Sequence, residues 1–246
     1  MSSSLNALKD EFVRLHGYYS EDIERALQAD PVFFEACLNL SFPPGRTPVL
    51  DARTRHLVLI AANAAVTYLN ESELAQQMRC ALDQGATREQ IKEVLQMVSV
   101  LGIHSFMLGA PILMRELGGA EARRSSEEAK ASAEAIKVKF MAGRQYWSEL
   151  LEDMVYTMPE FFDAYADFSS IPWRNGTLEP KVREFIYIAI DTSTTHLHAE
   201  GTRIHMANAL RHGATLDEVA EVVQIVSCLG TQSWITGVRL LEQITQ

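Results

Sequence analysis

The chain is written twice. Phe33 and Phe34 return as Phe161 and Phe162, Arg46 as Arg174, Arg55 as Arg183, and Gly85-Ala86-Thr87 as Gly213-Ala214-Thr215. The offset is 128 residues each time, and Glu93, Leu101, Gly102 and Gly109 obey it too. A register kept from Phe33 to Leu113 without an insertion means one fold, duplicated and fused. It also supplies an internal comparison. Residues that agree between the halves serve the fold. Residues that differ are where one half can keep chemistry that the other has lost.

The repeated unit reads as helical. Prolines and glycines fall between stretches of helical periodicity, and alternating strand-like runs are scarce. The pattern predicts helices near 5–16, 20–28, 31–40, 52–68, 72–84, 88–101 and 103–117. The second half predicts 132–142, 146–156, 159–168, 180–195, 199–212, 216–229 and 231–244. Gly85 is placed for a left-handed helix end, and Thr87 with Gln90 for a capping box. Gly213, Thr215 and Glu218 repeat the arrangement. Pro44 and Pro172 are expected in the loops before the long central helix of each half. The domains are a first repeat over 1–118, a polar linker over 119–131 read as a solvated spacer, and a second repeat over 132–246.

Composition excludes several classes. A formal net charge of -10 disfavours a nucleic-acid binder, which needs a basic face. The N-terminus shows no secretory signal, and no uninterrupted apolar run approaches the roughly 20 residues that span a bilayer. A cytoplasmic protein is expected. Cys37, Cys80 and Cys228 are odd in number and widely spaced, so they read as small buried hydrophobes rather than a disulfide framework.

The chemistry-capable differences cluster. His196, His198 and His205 stand where the first half has Tyr68, Asn70 and Gln77. His104 of the first half faces Gln232 of the second. His198 and His205 are seven apart, two turns along one helix face. His196 and His205 are nine apart, so both can face one pocket only across a break, for which Gly201 is the candidate. Histidine suits proton transfer near neutral pH. The same residues also have structural readings: His205 as a buried hydrogen-bonded histidine, His198 as a helix-start residue, His104 as part of an apolar core. His196, His198, His205 and Glu200 could instead bind a divalent metal, although the spacing lacks the i, i+4 pair of a strong motif. Arg55 and Arg183 open the central helices and read first as structural. Arg46 and Arg174, in the loops before them, could hold a substrate carboxylate. Glu93 and Glu221 are expected to partner such arginines. His16, His56 and His212 read as surface residues.

The run Lys181-Val182-Arg183-Glu184-Phe185-Ile186, followed by Thr195-His196-Leu197, His205-Met206 and Ala209-Leu210-Arg211-His212-Gly213-Ala214-Thr215, resembles the carboxymuconolactone decarboxylase family. The first half, ending in Leu101-Gly102-Ile103-His104-Ser105-Phe106, looks like a second copy. The resemblance implies an all-α fold of two tandem alkyl hydroperoxidase D-like helical bundles. It also implies a homo-oligomer, a trimer holding six repeats or a multiple of it. The family histidine falls on His205 and, in the first half, on Gln77, which favours the second half for catalysis. The C-x-x-C pair of the hydroperoxidase branch is replaced by His198 and Gly201, which excludes a dithiol peroxidase.

The decarboxylase branch implies a lyase or isomerase acting without cofactor on a small carboxylated lactone or oxo acid from aromatic-compound breakdown. On that expectation His205 transfers a proton and His196 stabilises the oxyanion. His198, Arg174, Arg183 and His104 bind substrate, and no metal is needed. The competing readings are a non-catalytic ring-forming helical scaffold or small-ligand binder, and a metal-dependent enzyme built on the histidine cluster.

Overall fold

A computed structural model describes residues 2–116 and 120–245. Among them there are only helices and turns. The helices are α1 (Ser2–His16), α2 (Glu21–Ala29), α3 (Pro31–Ser41), α4 (Ala52–Ala64), α5 (Glu71–Asp83), α6 (Arg88–Ser99), α7 (Ile103–Glu116) and α8 (Ala120–Ser125). They continue with α9 (Glu127–Arg144), α10 (Glu152–Thr157), α11 (Pro159–Asn175), α12 (Pro180–Thr192), α13 (Ala199–Arg211), α14 (Leu216–Ser227) and α15 (Gln232–Thr245). Helices α4, α5 and α6 coincide with α12, α13 and α14 at the 128-residue offset, residue for residue. The duplication in sequence is thus a duplication in structure.

The central helices end earlier than the periodicity predicts, at Ala64 and Thr192, and for the same reason in both halves. The chain turns sharply through a left-handed residue, Leu69 (φ 45°) or Leu197 (φ 53°). Tyr68 and Leu69 N–H donate back to Ala65 O; His196 and Leu197 N–H donate to Ser193 O. Asn70 N–H then closes onto Asn63 O, and His198 N–H onto Asp191 O. Hydrogen bonding satisfies the backbone that leaves the helix, which offsets the cost of the left-handed leucine. Gly85 and Gly213 take φ of 85° and 86°, and Thr215 with Glu218 forms the expected capping box.

Three expectations change. Pro172 lies inside α11 rather than in a loop, so Arg174 belongs to the last helical turn. Two successive prolines stop the first-repeat helix: Phe42, before Pro43, leaves the helical region (φ -134°, ψ 82°). With one proline, α11 loses a single hydrogen bond and continues. The linker is exposed, as expected of a solvated spacer, but it is helical rather than extended. Residues 120–125 form α8, where Arg123 donates to Tyr156 O and Thr157 O and Arg124 pairs with Asp153; residue 119 of the linker lies outside the described residues. Finally, a 3-10 turn carries α6 into α7 through Gly102. Arg88–Glu116 is therefore one run long and apolar enough, by length and composition, to cross a bilayer. Its apolar face is used in packing: Val94, Met97, Val98, Ile103, Ala110 and Met114 are buried.

The chain packs as two compact units that cut across the repeats. One comprises Met1–Thr87 with Glu179–Gln246, the other Arg88–Leu178. The boundaries at 118 and 132 describe the sequence register, whereas the compact units divide each repeat before or after its central pair. In the first unit α4 and α12 pack together, each also against its own following helix, α5 or α13. Leu57, Val58, Ile60, Phe185, Ile186 and Ile188 fill the interior. Phe12, Ile23, Leu27 and Phe34 form a second cluster, closed by Trp234 and Ile235 of α15. In the second unit Phe140, Met154 and Phe162 anchor a core that α9, α10 and α11 share with α7. Each buried aromatic of this size contributes about 2–3 kcal/mol of transfer free energy.

Glu93 and Glu221 are buried and clamp backbone, and the charge of Glu221 also acts on Arg55. Glu221 Oε2 accepts from Val49 N (2.5 Å) and Leu50 N (3.2 Å). Glu93 Oε2 accepts from Thr177 N (2.6 Å) and Leu178 N (3.0 Å). Both hold the loop entering a central helix, and in both cases the glutamate comes from the other repeat. A Cβ at Gly176 would stand 2.1 Å from Glu93 Oε1, so the carboxylate fits only against glycine. Buried acceptor and buried donors satisfy each other.

Candidate functional site

Helices α12 and α13 bring Glu184 and His205 together. His205 Nδ1 lies 2.7 Å from Glu184 Oε2, both side chains buried, and Tyr187 stacks on the imidazole at 4.6 Å. A carboxylate only accepts, so Nδ1 carries the proton and Nε2 is the basic nitrogen of the ring. Asn208 Nδ2 donates to the other oxygen, Glu184 Oε1, at 3.4 Å. One turn after Tyr187 on α12, burial and then the charge of Glu184 push the Asp191 carboxyl up to about 8. Asp191 is therefore largely protonated at neutral pH.

His198 is the N-cap of α13. Its Nδ1 accepts from Gly201 N at 3.0 Å, the role Asn70 plays for Glu73 N in α5. Gly201 lies within the first turn of α13 and is not the break between His196 and His205. That break is the Ser193–Leu197 turn. Gly201 is needed for another reason: a Cβ there would fall 2.2 Å from Asp191 Oδ2 and 2.4 Å from His198 Nδ1. The rings of His196 and His198 stack at 5.8 Å. Burial lowers both from the usual histidine range, and for His198 the charges of His196 and His205 lower it further. The structure thus brings His196, His198 and His205 within electrostatic reach of one another. Glu200, a ligand in the metal reading, is half-buried and held by Arg203 at 2.5 Å.

The remaining sequence-derived residues are Arg183, Arg174 and His104. Arg183 is buried in the first turn of α12. Arg174 is exposed on α11 and faces Asp167 of the same helix at 3.8 Å. His104 is half-buried on α7. His104 and Arg174 belong to the second compact unit, and the three α12–α13 histidines to the first.

The first repeat holds what the sequence reading missed. His56 is buried at 8% exposure, not a surface residue, and its Nδ1 lies 2.8 Å from Gln77 Oε1. His56 is the 128-residue counterpart of Glu184, and Gln77 that of His205. Both repeats therefore carry one histidine across the same helix pair, but on opposite helices. The signal was present in the sequence as the His56/Glu184 difference, beside the Arg55/Arg183 match. His16 is also no surface residue: it stacks on Phe12 at 4.1 Å and meets the edge of Phe42 at 5.0 Å. Burial, with the neighbouring His56 and Arg55, pushes its imidazole down to about 3.

These residues line a cleft in the first unit. It encloses about 80 Å³ within about 700 Å³ of empty space counted to its mouth. Leu15, Phe42, Leu59 and Ile225 form apolar wall; Arg46 and Arg55 supply positive charge.

An all-α chain built from two interleaved copies of one helical unit, with a histidine on each central helix pair, defines the class. The sequence pattern of the Carboxymuconolactone decarboxylase family matches residues 31–103 and 159–243, and the chain belongs to that family. A crystal structure from Burkholderia xenovorans LB400, of a protein provisionally assigned as a gamma-carboxymuconolactone decarboxylase subunit, is 39% identical to this chain. The match covers 98% of this chain and 97% of that one, with a TM-score of 0.91. No curated protein matches the chain.

Proposed function

We propose that the protein is a carboxymuconolactone decarboxylase-like lyase, acting without cofactor on a small carboxylated lactone or oxo acid, with His205 as its proton-transfer group. The observation that carries this reading is the buried Glu184–His205 pair at 2.7 Å. A carboxylate on Nδ1 fixes the tautomer and stabilises the imidazolium, so Nε2 can take up and return a proton. In the reaction the bond from carbon to the carboxylate breaks and CO₂ leaves. The electron pair passes onto a conjugated carbonyl or lactone oxygen as an enolate, and the carbon receives a proton from His205 Nε2. His196, held neutral by its surroundings, donates a hydrogen bond to the developing oxyanion. His198 and Arg183 are proposed to contact substrate. Family membership and the decarboxylase assignment of the 39%-identical relative support the reaction class. Aromatic-compound breakdown is the proposed setting.

A homotrimer or a multiple of it is proposed as the working assembly. Leu108 (70% exposed), Ile112 and Leu113 of α7 supply an apolar surface that such an assembly would cover.

The test is turnover of carboxymuconolactone and related unsaturated acids by metal-free protein, following CO₂ release and ultraviolet absorbance. Wild type is expected to release CO₂, and His205→Ala to lose about 10²–10⁴-fold in rate with the oligomer unchanged. Equal rates in the two proteins would sink the assignment of His205. No release by a correctly assembled wild type would sink the lyase reading and favour a binding role.

A further inference from the structure

The cleft of the first repeat contains cationic and basic groups that the proposal above does not use. His205 is not among the residues lining it. Arg55 is half-buried, with its guanidinium over the Phe42 ring at 5.4 Å. Among the described residues no acidic side chain comes within salt-bridge distance of Arg55, and none within that distance of Arg46. Burial lowers the Arg55 pKa, partly opposed by the charges of Glu221 and Asp51. Glu221 also lines the cleft and attracts Arg55, but Val49 N and Leu50 N already hold its Oε2. Among the lining residues two arginines stand against one carboxylate, which leaves the cleft cationic.

The histidines do not add to that charge. His16 is neutral at any ordinary pH. Burial, partly opposed by Gln77, and the charge of Arg55 lower His56 as well. The tautomer of His56 follows from its neighbours. Gln77 Nε2 points to Glu73 Oε2 at 3.5 Å, so Gln77 Oε1 faces His56 and accepts from Nδ1–H. Nε2 of His56 is then an acceptor without a partner among the described residues. His56 lines the cleft, so this acceptor can take a donor from a ligand or a water.

We propose that this cleft is a second binding site, independent of His205, for a small hydroxy-carboxylate with an apolar body. Arg55 and Arg46 hold the carboxylate, Phe42, Leu59 and Ile225 cover the body, and His56 Nε2 accepts from the ligand hydroxyl. An ionised carboxylate is the natural partner of an unpaired guanidinium, because a fork of N–H donors meets two acceptor oxygens. A neutral imidazole with a lone pair exposed to the cleft selects for a ligand donor and against a bare anion.

Calorimetric titration of the full-length protein with 4-hydroxybenzoate tests the proposal, with benzoate and 4-hydroxybenzamide as controls. Wild type is expected to bind 4-hydroxybenzoate more tightly than either control. Arg55→Gln should weaken binding by about tenfold to a hundredfold, and Arg46→Gln, at an exposed position that folding does not need, by several-fold. His205→Ala should bind as wild type does, whether or not the lyase reading holds. Three results would each overturn the proposal: no saturable binding by wild type, unchanged affinity in Arg46→Gln, or loss of binding in His205→Ala with Arg46→Gln unaffected. If Arg55→Gln fails to fold, as its melting curve would reveal, Arg46→Gln and the benzamide control decide alone.

Discussion

The α4–α5 pair and the α12–α13 pair occupy equivalent places in the two repeats and solve one problem in two ways. Each crosses the gap with a buried polar contact of almost equal length, 2.8 Å for His56–Gln77 and 2.7 Å for His205–Glu184. In the first the imidazole stands on the central helix and its partner is a neutral amide. In the second it stands on the following helix and its partner is a carboxylate. The difference changes what the ring can do. Gln77 can orient His56 but cannot stabilise its protonated form with charge. Glu184 can do both for His205. The first pair suits a hydrogen-bond acceptor in a cationic cleft, and the second suits a proton shuttle.

The sharpest way to break this comparison is Glu184→Gln, which gives the second repeat the first repeat's amide. Turnover is expected to fall about 10²-fold, because the imidazolium formed in the reaction loses its counter-charge. Steady-state kcat reads this directly. An unchanged kcat would mean that the carboxylate only positions the ring.

The glutamate clamps should be equal where the histidine pairs are not. Glu221→Ala removes the acceptor of two backbone N–H groups and is expected to destabilise by about 2–3 kcal/mol, and Glu93→Ala by a similar amount. Denaturant titration of each variant checks the equality. A much smaller loss at Glu93 would mean that the two repeats bear load differently.

The repeats should lose stability at opposite ends of the pH range. Asp191, Asn63 in the first repeat, has its folded pKa raised to about 8. Its contribution is fully present below the unfolded value near 4 and is lost as pH rises from there through about 8. His16, Arg144 in the second repeat, has its folded pKa lowered to about 3. Its contribution is present above the unfolded value of about 6.5 and is lost as pH falls from there through about 3. Melting curves from pH 3 to 9 should show Asp191→Asn flattening the alkaline side and His16→Leu the acid side. Either variant flattening the wrong side would refute the assignment.

The smallest expected effect concerns the turn after the first helix of each repeat. Gly17 takes φ 77°, and its counterpart Gln145 takes φ 62° with a side chain. Gln145→Gly relieves the left-handed strain but gives back chain entropy, so a net gain of up to about 1 kcal/mol is expected. A loss of stability would show that the Gln145 side chain contributes more than its backbone costs.

Much of the helix layout was legible because duplication and periodicity speak about local structure. Helices α4, α5, α6, α12, α13 and α14 begin where the sequence places them, and the Thr215–Glu218 box forms. What failed was of two kinds. A left-handed leucine carries no turn signature, so the ends of α4 and α12 and the true break before His198 were hidden. Partners across helices were hidden too. Glu184 and His56 lie 21 residues from His205 and Gln77, and only packing shows that each faces the other. Searching for histidine where the other half lacked it found His205, but passed over His56, whose counterpart is an acid rather than a neutral residue. The same packing gave the duplicated glutamates a backbone role that no spacing announces.

The clamps have a further consequence. Glu221 belongs to the second copy and fastens the first, while Glu93 belongs to the first and fastens the second. Two separate, identical chains lending each other a helix in this way would make a swapped dimer with two-fold symmetry. Every substitution in such a dimer appears in both places at once. Joining the copies end to end keeps the exchange and removes that obligation. A histidine could then leave α5 for α4 in one copy while staying on α13 in the other, with neither change imposed on its twin.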